Sequence, residues 1–265
     1  MRKLVGGIGV LGVLALAASV QAAEPDVNKL AQQLKDTEAK KRADAAEALG
    51  ALGREGKAAV AALAEALKDQ DKKVRLKVAT ALSKMSPEAT AAVPALVEAM
   101  KDADKEIRER VVEALEGNGF DSKASVPALL EALKDKEAKI RTKAAYALRR
   151  FRLEAKSVVP ALVETLQDKD GKVRYMAAYT LVWFANNGLS GAEAKAAVPA
   201  LISTLKDKEA KVRVRAATAL KLMGSEAKPA VPALTEALQD QDEHVRVAAK
   251  AALEVVDASA VKPTP

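Results

Sequence analysis

The run Ala92-Val93-Pro94-Ala95-Leu96-Val97-Glu98-Ala99-Met100-Lys101-Asp102-Ala103-Asp104-Lys105-Glu106-Ile107-Arg108 decides the fold. Val93, Leu96 and Met100 recur at helical spacing, and Pro94 suits a first turn, where its missing N–H costs nothing. The spacing predicts a short first helix from Val93. Lys101 to Asp104 reads as a turn whose last acid lies where it can cap the next helix. That second helix starts near Lys105, with Ile107, Val111, Ala114 and Leu115 as its buried stripe.

Working outward, the same unit returns seven times. Arg42, Arg75, Arg108, Arg141, Arg174, Arg213 and Arg246 lie 33 residues apart, except for one gap of 39. Asp36, Asp69, Asp102, Asp135, Asp168, Asp207 and Asp240 keep the same spacing, each followed two residues later by another acid. Leu49, Leu82, Leu115, Leu148, Leu181, Leu220 and Leu253 repeat it again. The array runs from about Asp26 to Asp257, with units starting near residues 26, 58, 91, 124, 157, 196 and 229. The longer gap marks a six-residue insertion near 186–194, whose Asn, Gly and Ser content reads as an exposed turn. A helix pair this short cannot bury its apolar face alone, whereas stacked neighbours can. The fold class is therefore all-α: an α-solenoid, or superhelix, of about seven two-helix repeats of 33 residues. Ala45, Ala144, Ala177, Ala216 and Ala249 keep the second helices slim enough to approach closely. Lys41 and Lys250 replace apolar or small residues in the terminal copies, as end units with a polar outer side require.

Composition narrows the chemistry. The chain has 265 residues and a net charge of +7, and 49% of it is apolar but only 3% aromatic. Alanine and leucine carry the apolar load, as in helical arrays. The absence of Cys excludes disulfides and thiolate zinc sites, and the single His244 argues against a multi-His metal site or a Ser-His-Asp triad. His244 occupies a place held by Lys73, Lys139 or Lys211 in other copies and reads as solvent-facing. Ser203-Thr204-Leu205-Lys206 fits S-x-x-K, but its companion motifs are missing and its column is an exposed helix face. No cofactor or metal is expected, and no catalytic residue stands out.

The first residues read as an address. Arg2 and Lys3 precede the apolar, uncharged run Leu4 to Val20, and Val20-Gln21-Ala22 offers small residues where a signal peptidase reads. Residues 1–22 are expected to be a cleaved signal peptide; an uncleaved anchor is the alternative. Gly7-Ile8-Gly9-Val10-Leu11-Gly12 fits G-x-G-x-x-G only inside this run, so it carries no nucleotide reading. Cleavage removes two cations and no acid, taking the charge from +7 to +5. It leaves no segment apolar for long enough to span a membrane and implies export to the periplasm or beyond. Residues 23–257 form the repeat array, and 258–265 are expected to be a disordered tail.

The units Ala92-Val93-Pro94-Ala95-Leu96-Val97-Glu98-Ala99 and Ala197-Val198-Pro199-Ala200-Leu201, with the Lys-Asp-x-acid-x-x-Val-Arg turn and an Ala-rich helix, resemble HEAT repeats. They look most like the short bacterial HEAT-like type also found in phycobilin lyases. The resemblance implies first helices on the convex side and second helices on the concave side. It also implies a structural ladder between neighbouring units, carried by Asp69, Arg75, Asp102, Arg108, Asp135, Arg141, Asp168, Arg174, Asp207, Arg213, Asp240 and Arg246. HEAT-type hydroxylases hold iron with several His-Glu pairs, and this chain has only Glu243-His244, in the reverse order.

Function should lie where the copies differ. Six of the seven aromatics fall between residues 146 and 184. Tyr175, Tyr179 and Trp183 follow at i, i+4 and i+8, turned about 200° from the buried stripe Val173, Ala177, Leu181 and Phe184 at about 100° per residue. Tyr146 holds the column of Tyr179 one unit earlier, so the two rings can flank one groove. Lys143, Arg149, Arg150, Arg152 and Arg215 gather nearby. Arg and aromatics dominate binding hot spots. The candidate binding residues are Tyr146, Arg149, Arg150, Tyr175, Tyr179, Trp183 and Arg215; the alternative is that these rings fill gaps between units. Phe151 and Phe184 lie in core columns.

The sequence therefore points to an exported, non-catalytic scaffold, expected to be a monomer, that binds a protein or peptide along its concave face. A second reading is a small-molecule or polyanion site, with an enzyme of the lyase-like branch as its sharpest form. Nucleic acid comes third, because +5 spread over both signs is no concentrated basic stripe.

Overall fold

The two-helix unit is what forms. The structure is a computed structural model and describes residues 26–86, 88–117 and 122–257. The leader read as a signal peptide and the tail after Asp257 lie outside those residues. Among the described residues there are fourteen α-helices and no strand. The first helices are α1 (Val27–Gln33), α3 (Val60–Ala66), α5 (Val93–Ala99), α7 (Ser122–Ala132), α9 (Ala155–Thr165), α11 (Gly191–Thr204) and α13 (Val231–Ala237). The second helices are α2 (Ala39–Leu52), α4 (Lys72–Lys84), α6 (Lys105–Gly117), α8 (Ala138–Ala147), α10 (Gly171–Asn186), α12 (Ala210–Met223) and α14 (Glu243–Val256). Each first helix packs on the second helix of its own unit, and each second helix packs on the next one along, from α2 to α14. The result is two layers with a continuous apolar seam between them.

The seam is leucine and alanine. The leucine column from Leu49 to Leu253 is fully buried, and so are Ala144, Ala177, Ala216 and Ala249. Each buried leucine contributes about 1.5–3 kcal/mol. Small residues set the helix spacing. A Cβ added at Gly50 of α2 would lie 2.8 Å from the Ala81 Cα of α4, so the two backbones touch there. Phe151 and Phe184 are buried, as their columns require.

The Asp and Arg columns form the ladder. Arg42 Nε donates to Asp69 Oδ2 at 2.6 Å, and the same bond joins Arg75 to Asp102, Arg108 to Asp135, Arg141 to Asp168, Arg174 to Asp207 and Arg213 to Asp240 at 2.5–2.7 Å. Each of these arginines also sends Nη1 back to the carbonyl of its own unit's Asp, and among the described residues Arg246 makes only this kind of bond. Each Asp in turn accepts from the backbone N–H two residues on. One fork therefore ties three strands of backbone together, which suits the planar guanidinium.

Three local expectations need correction. The second acid caps the next helix only where it is Asp: Asp71, Asp104, Asp170 and Asp242 accept two N–H bonds each. Glu38, Glu137 and Glu209 make no such bond, since the extra methylene carries the carboxylate past the N–H groups. Proline does not always open the first helix. Pro94 and Pro232 do, but Pro127, Pro160 and Pro199 lie inside α7, α9 and α11, which begin at least a turn earlier. Finally, the insertion is only partly a loop. It lengthens α10 to 16 residues and α11 to 14 and leaves a short turn at 187–190. Gly188 at φ 91° ends α10, and Leu189 N–H reaches back to the Phe184 carbonyl at 3.0 Å. This is a Schellman-type stop, which needs a residue free to take positive φ.

Candidate functional site

The candidate surface begins with two alanine-lined helices. Ala144, Ala145, Ala177 and Ala178 are buried, so α8 and α10 lie side by side. Thr180, buried on α10, donates its hydroxyl to the Ala145 carbonyl at 2.8 Å and sets the register between them. In that register Tyr146 of α8 and Tyr179 of α10 stack, centroids 6.4 Å apart and planes 17° apart. Tyr175, one turn earlier on α10, stacks on Tyr179 at 6.4 Å and 21°. Three half-buried rings thus run in a row across the exposed face of the second helices.

An arginine closes each end of the row. Arg149 lies in the 3-10 turn Leu148–Arg150 after α8; its guanidinium carbon is 3.9 Å from the Tyr146 centroid, and Nη2 donates to the Tyr146 hydroxyl at 2.5 Å. Arg215 of α12 stands 5.4 Å from the centroids of both Tyr175 and Tyr179 and donates to the Tyr175 hydroxyl from Nη2 at 2.9 Å. Such cation–π contacts contribute about 0.5–2 kcal/mol each. The arginines are therefore held in place before any ligand arrives. Behind Arg149 lies Glu116, 3.8 Å away. Burial pushes the Glu116 carboxyl up, against the pull of Arg149 and Arg150.

Two candidate residues stand apart from the row. Trp183 is half-buried against the core and meets Phe184 edge-on, centroids 5.7 Å apart and planes 78° apart. Arg150 is exposed, and its Nε reaches the Glu116 carbonyl at 3.3 Å. Lys143, counted in the basic cluster, is neutralised: it bonds Glu109 at 3.0 Å and Glu113 more closely still. Burial alone would lower the Lys143 pKa, but the two glutamates raise it. Arg152 joins the row's margin to the insertion through the Asn187 carbonyl at 3.4 Å.

Sequence reasoning missed a hollow beyond Arg215. Val214, Thr218, Val247, Ala248 and Ala251 line a space of about 400 Å³ between α12 and α14. Val247 is 62% exposed, a large value for a valine. The signal was present as Val214 and Val247, each directly after a ladder arginine. Grooves of about 330–630 Å³ also recur along the turns, with ladder Asp and Arg residues on their walls. They repeat with the units and follow from stacking.

His244 is exposed, with Nδ1 3.5 Å from Asp242, and among the described residues Ser203 bonds only the Pro199 carbonyl of its own helix. Among the described residues no group of three or more His, Cys, Asp or Glu could hold a metal, and no helix is long and apolar enough to cross a membrane.

Fold and surface together define an α-solenoid of stacked two-helix repeats. The HEAT-repeat family model matches residues 27–116, 93–182, 126–198 and 159–254, and the chain belongs to that family. A comparison with the curated proteins finds no match. Among solved structures, an engineered protein superposes with a TM-score of 0.64 at 24% identity, over 90% of this chain and 71% of that one. A designed armadillo repeat protein matches with a TM-score of 0.48 at 19% identity, over 88% of this chain and 100% of that one. The HEAT solenoid is commonly used for protein interaction and is usually non-catalytic.

Proposed function

We propose that this chain is an exported, non-catalytic scaffold that binds a protein or peptide partner across the second helices of its fourth to sixth units. The observation that carries the reading is the row Arg149–Tyr146–Tyr179–Tyr175–Arg215. It is the one place among the described residues where aromatic rings line up on the exposed face, and its arginines are oriented by their own tyrosines. A surface fixed in this way loses little entropy on binding. The leader sequence supports export to the cell envelope, and the family supports the placing of the row on the concave side.

The test is capture from an envelope extract with the wild-type protein and with the triple variant Tyr146→Ala, Tyr175→Ala, Tyr179→Ala, both shown to be helical by circular dichroism. A specific protein retained by the first and lost by the second is the expected result. Equal retention by both moves the binding surface elsewhere. Export is tested by fractionation and amino-terminal sequencing, with a mature chain starting at Ala23 expected outside the cytoplasm.

A further inference from the structure

We propose that the partner presents an acidic, extended peptide of about nine residues to this face. One carboxylate meets Arg149 and Arg150, a second meets Arg215, and an apolar side chain enters the hollow between α12 and α14. The inference rests on the reading of the second-helix face as the binding surface and adds the chemistry of what binds.

Charge complementarity carries it first. Residues 138–151, 171–187 and 210–223, which hold the second helices of the fourth to sixth units, contain no Asp or Glu; the first acid after α12 is Glu226, in the turn that follows it. They carry eleven Lys and Arg residues. The ladder occupies Arg141, Arg174 and Arg213, and the glutamates of α6 occupy Lys139 and Lys143. Among the described residues Arg215 and Lys221 have no carboxylate partner. Arg149 has only Glu116 at 3.8 Å, and its Nε is buried without a hydrogen bond. The three helices α8, α10 and α12, with oriented cations and no acid of their own, are complementary to carboxylates, and Glu116 of α6 and Glu243 of α14 bound them on either side.

Geometry sets the length. From α8 to α14 there are three helix-to-helix steps of about 8–10 Å each. An extended chain advances about 3.3 Å per residue, so about seven to nine residues reach from Arg149 to the far side of the hollow. Val214, Val247, Ala248 and Ala251 give the hollow its apolar wall, and Thr218, Lys221, Glu243 and His244 line the rest of it. An aliphatic side chain is the natural occupant.

The same geometry disfavours a polynucleotide. Single strands bind by stacking bases on open ring faces. Here the faces are taken: Tyr179 stacks on both neighbouring tyrosines, and Arg149 and Arg215 lie over the ends. The rings serve to hold the arginines.

The experiment is fluorescence anisotropy on the purified protein with labelled nonapeptides rich in Asp and Glu, carrying one Leu near either end. Matched peptides with Gln or Lys in place of the acids, and a nine-residue oligothymidylate, complete the set. The acidic peptide with Leu at one particular end is expected to bind most tightly, and more weakly as salt rises. Arg215→Glu should weaken it by about tenfold or more. Val247→Asp, at an exposed position, should weaken it while leaving thermal unfolding unchanged. Failure of the acidic peptides to bind, or equal binding of the Gln peptide, overturns the inference. Tighter binding of the oligothymidylate overturns it in favour of a general polyanion site. If the Gln or Lys peptide binds and Tyr175→Ala with Tyr179→Ala abolishes binding, the acidic preference falls but the surface stands. If peptides bind and none of these substitutions matters, the surface falls as well.

Discussion

Arg141 and Arg246 occupy the same column and differ in one respect: among the described residues Arg141 has a following ladder Asp to hold and Arg246 has none. Arg141 forks onto Asp168, with both side chains largely out of solvent. Arg141→Ala leaves the largely covered Asp168 carboxylate with only the Asp170 N–H and is expected to cost about 2–3 kcal/mol. Arg246→Ala loses bonds to backbone carbonyls alone and should cost about 1–2 kcal/mol. Urea denaturation of the two variants measures the difference. The same bonds set the acid limit. Arg42 and Arg213 hold Asp69 and Asp240 below the usual carboxylate range. Burial pushes Asp135, Asp168 and Asp207 up, but their arginines outweigh it and they too end low. An unfolded Asp titrates near about 3.9. The ladder's contribution is therefore fully present above about pH 4 and is lost as pH falls through the lower folded values. Melting temperature followed by circular dichroism should hold steady down to that point and then drop. Asp168→Asn should start lower and drop less. Seven copies in register made these columns legible in the sequence. The distinction between Asp and Glu as caps was not, because it depends on one methylene of reach.

At the scale of the helix, close packing and ring direction matter most. Gly50→Ala puts a methyl 2.8 Å from the Ala81 Cα, so α2 and α4 must part; the expected cost is about 1–3 kcal/mol by thermal or urea unfolding. The tyrosine row was legible from i, i+4 spacing and from the matching column in the preceding unit. Its extension to Trp183 was not. Eight residues at about 100° each end some 80° past the starting direction, which turns Trp183 from the exposed face toward Phe184. Trp183→Ala is therefore expected to cost more stability than Tyr179→Ala, because it removes packing against the core. The acid partners of Lys143 were also hidden, because Glu109 and Glu113 lie on the previous second helix, thirty or more residues away. Register between units, not spacing within one, brings them together.

At the scale of the molecule, each unit touches only its neighbours, so stability is a sum of units and interfaces. Leu181→Ala, at a fully buried site in the fifth unit, should cost about 2–5 kcal/mol. Hydrogen exchange should report that loss in the fourth to sixth units and leave the first two protected, in contrast to a single globular core. The same independence leaves the exposed second-helix face free to vary from copy to copy while the ladder stays constant. The central claim is that a partner meets the chain on this face. The most direct test is photocrosslinking in the native cell, with p-benzoylphenylalanine replacing Tyr179 of α10 or, on the opposite layer, the exposed Glu164 of α9. A discrete protein adduct from position 179 and none from position 164 is the expected result; an adduct from 164 alone would contradict the account.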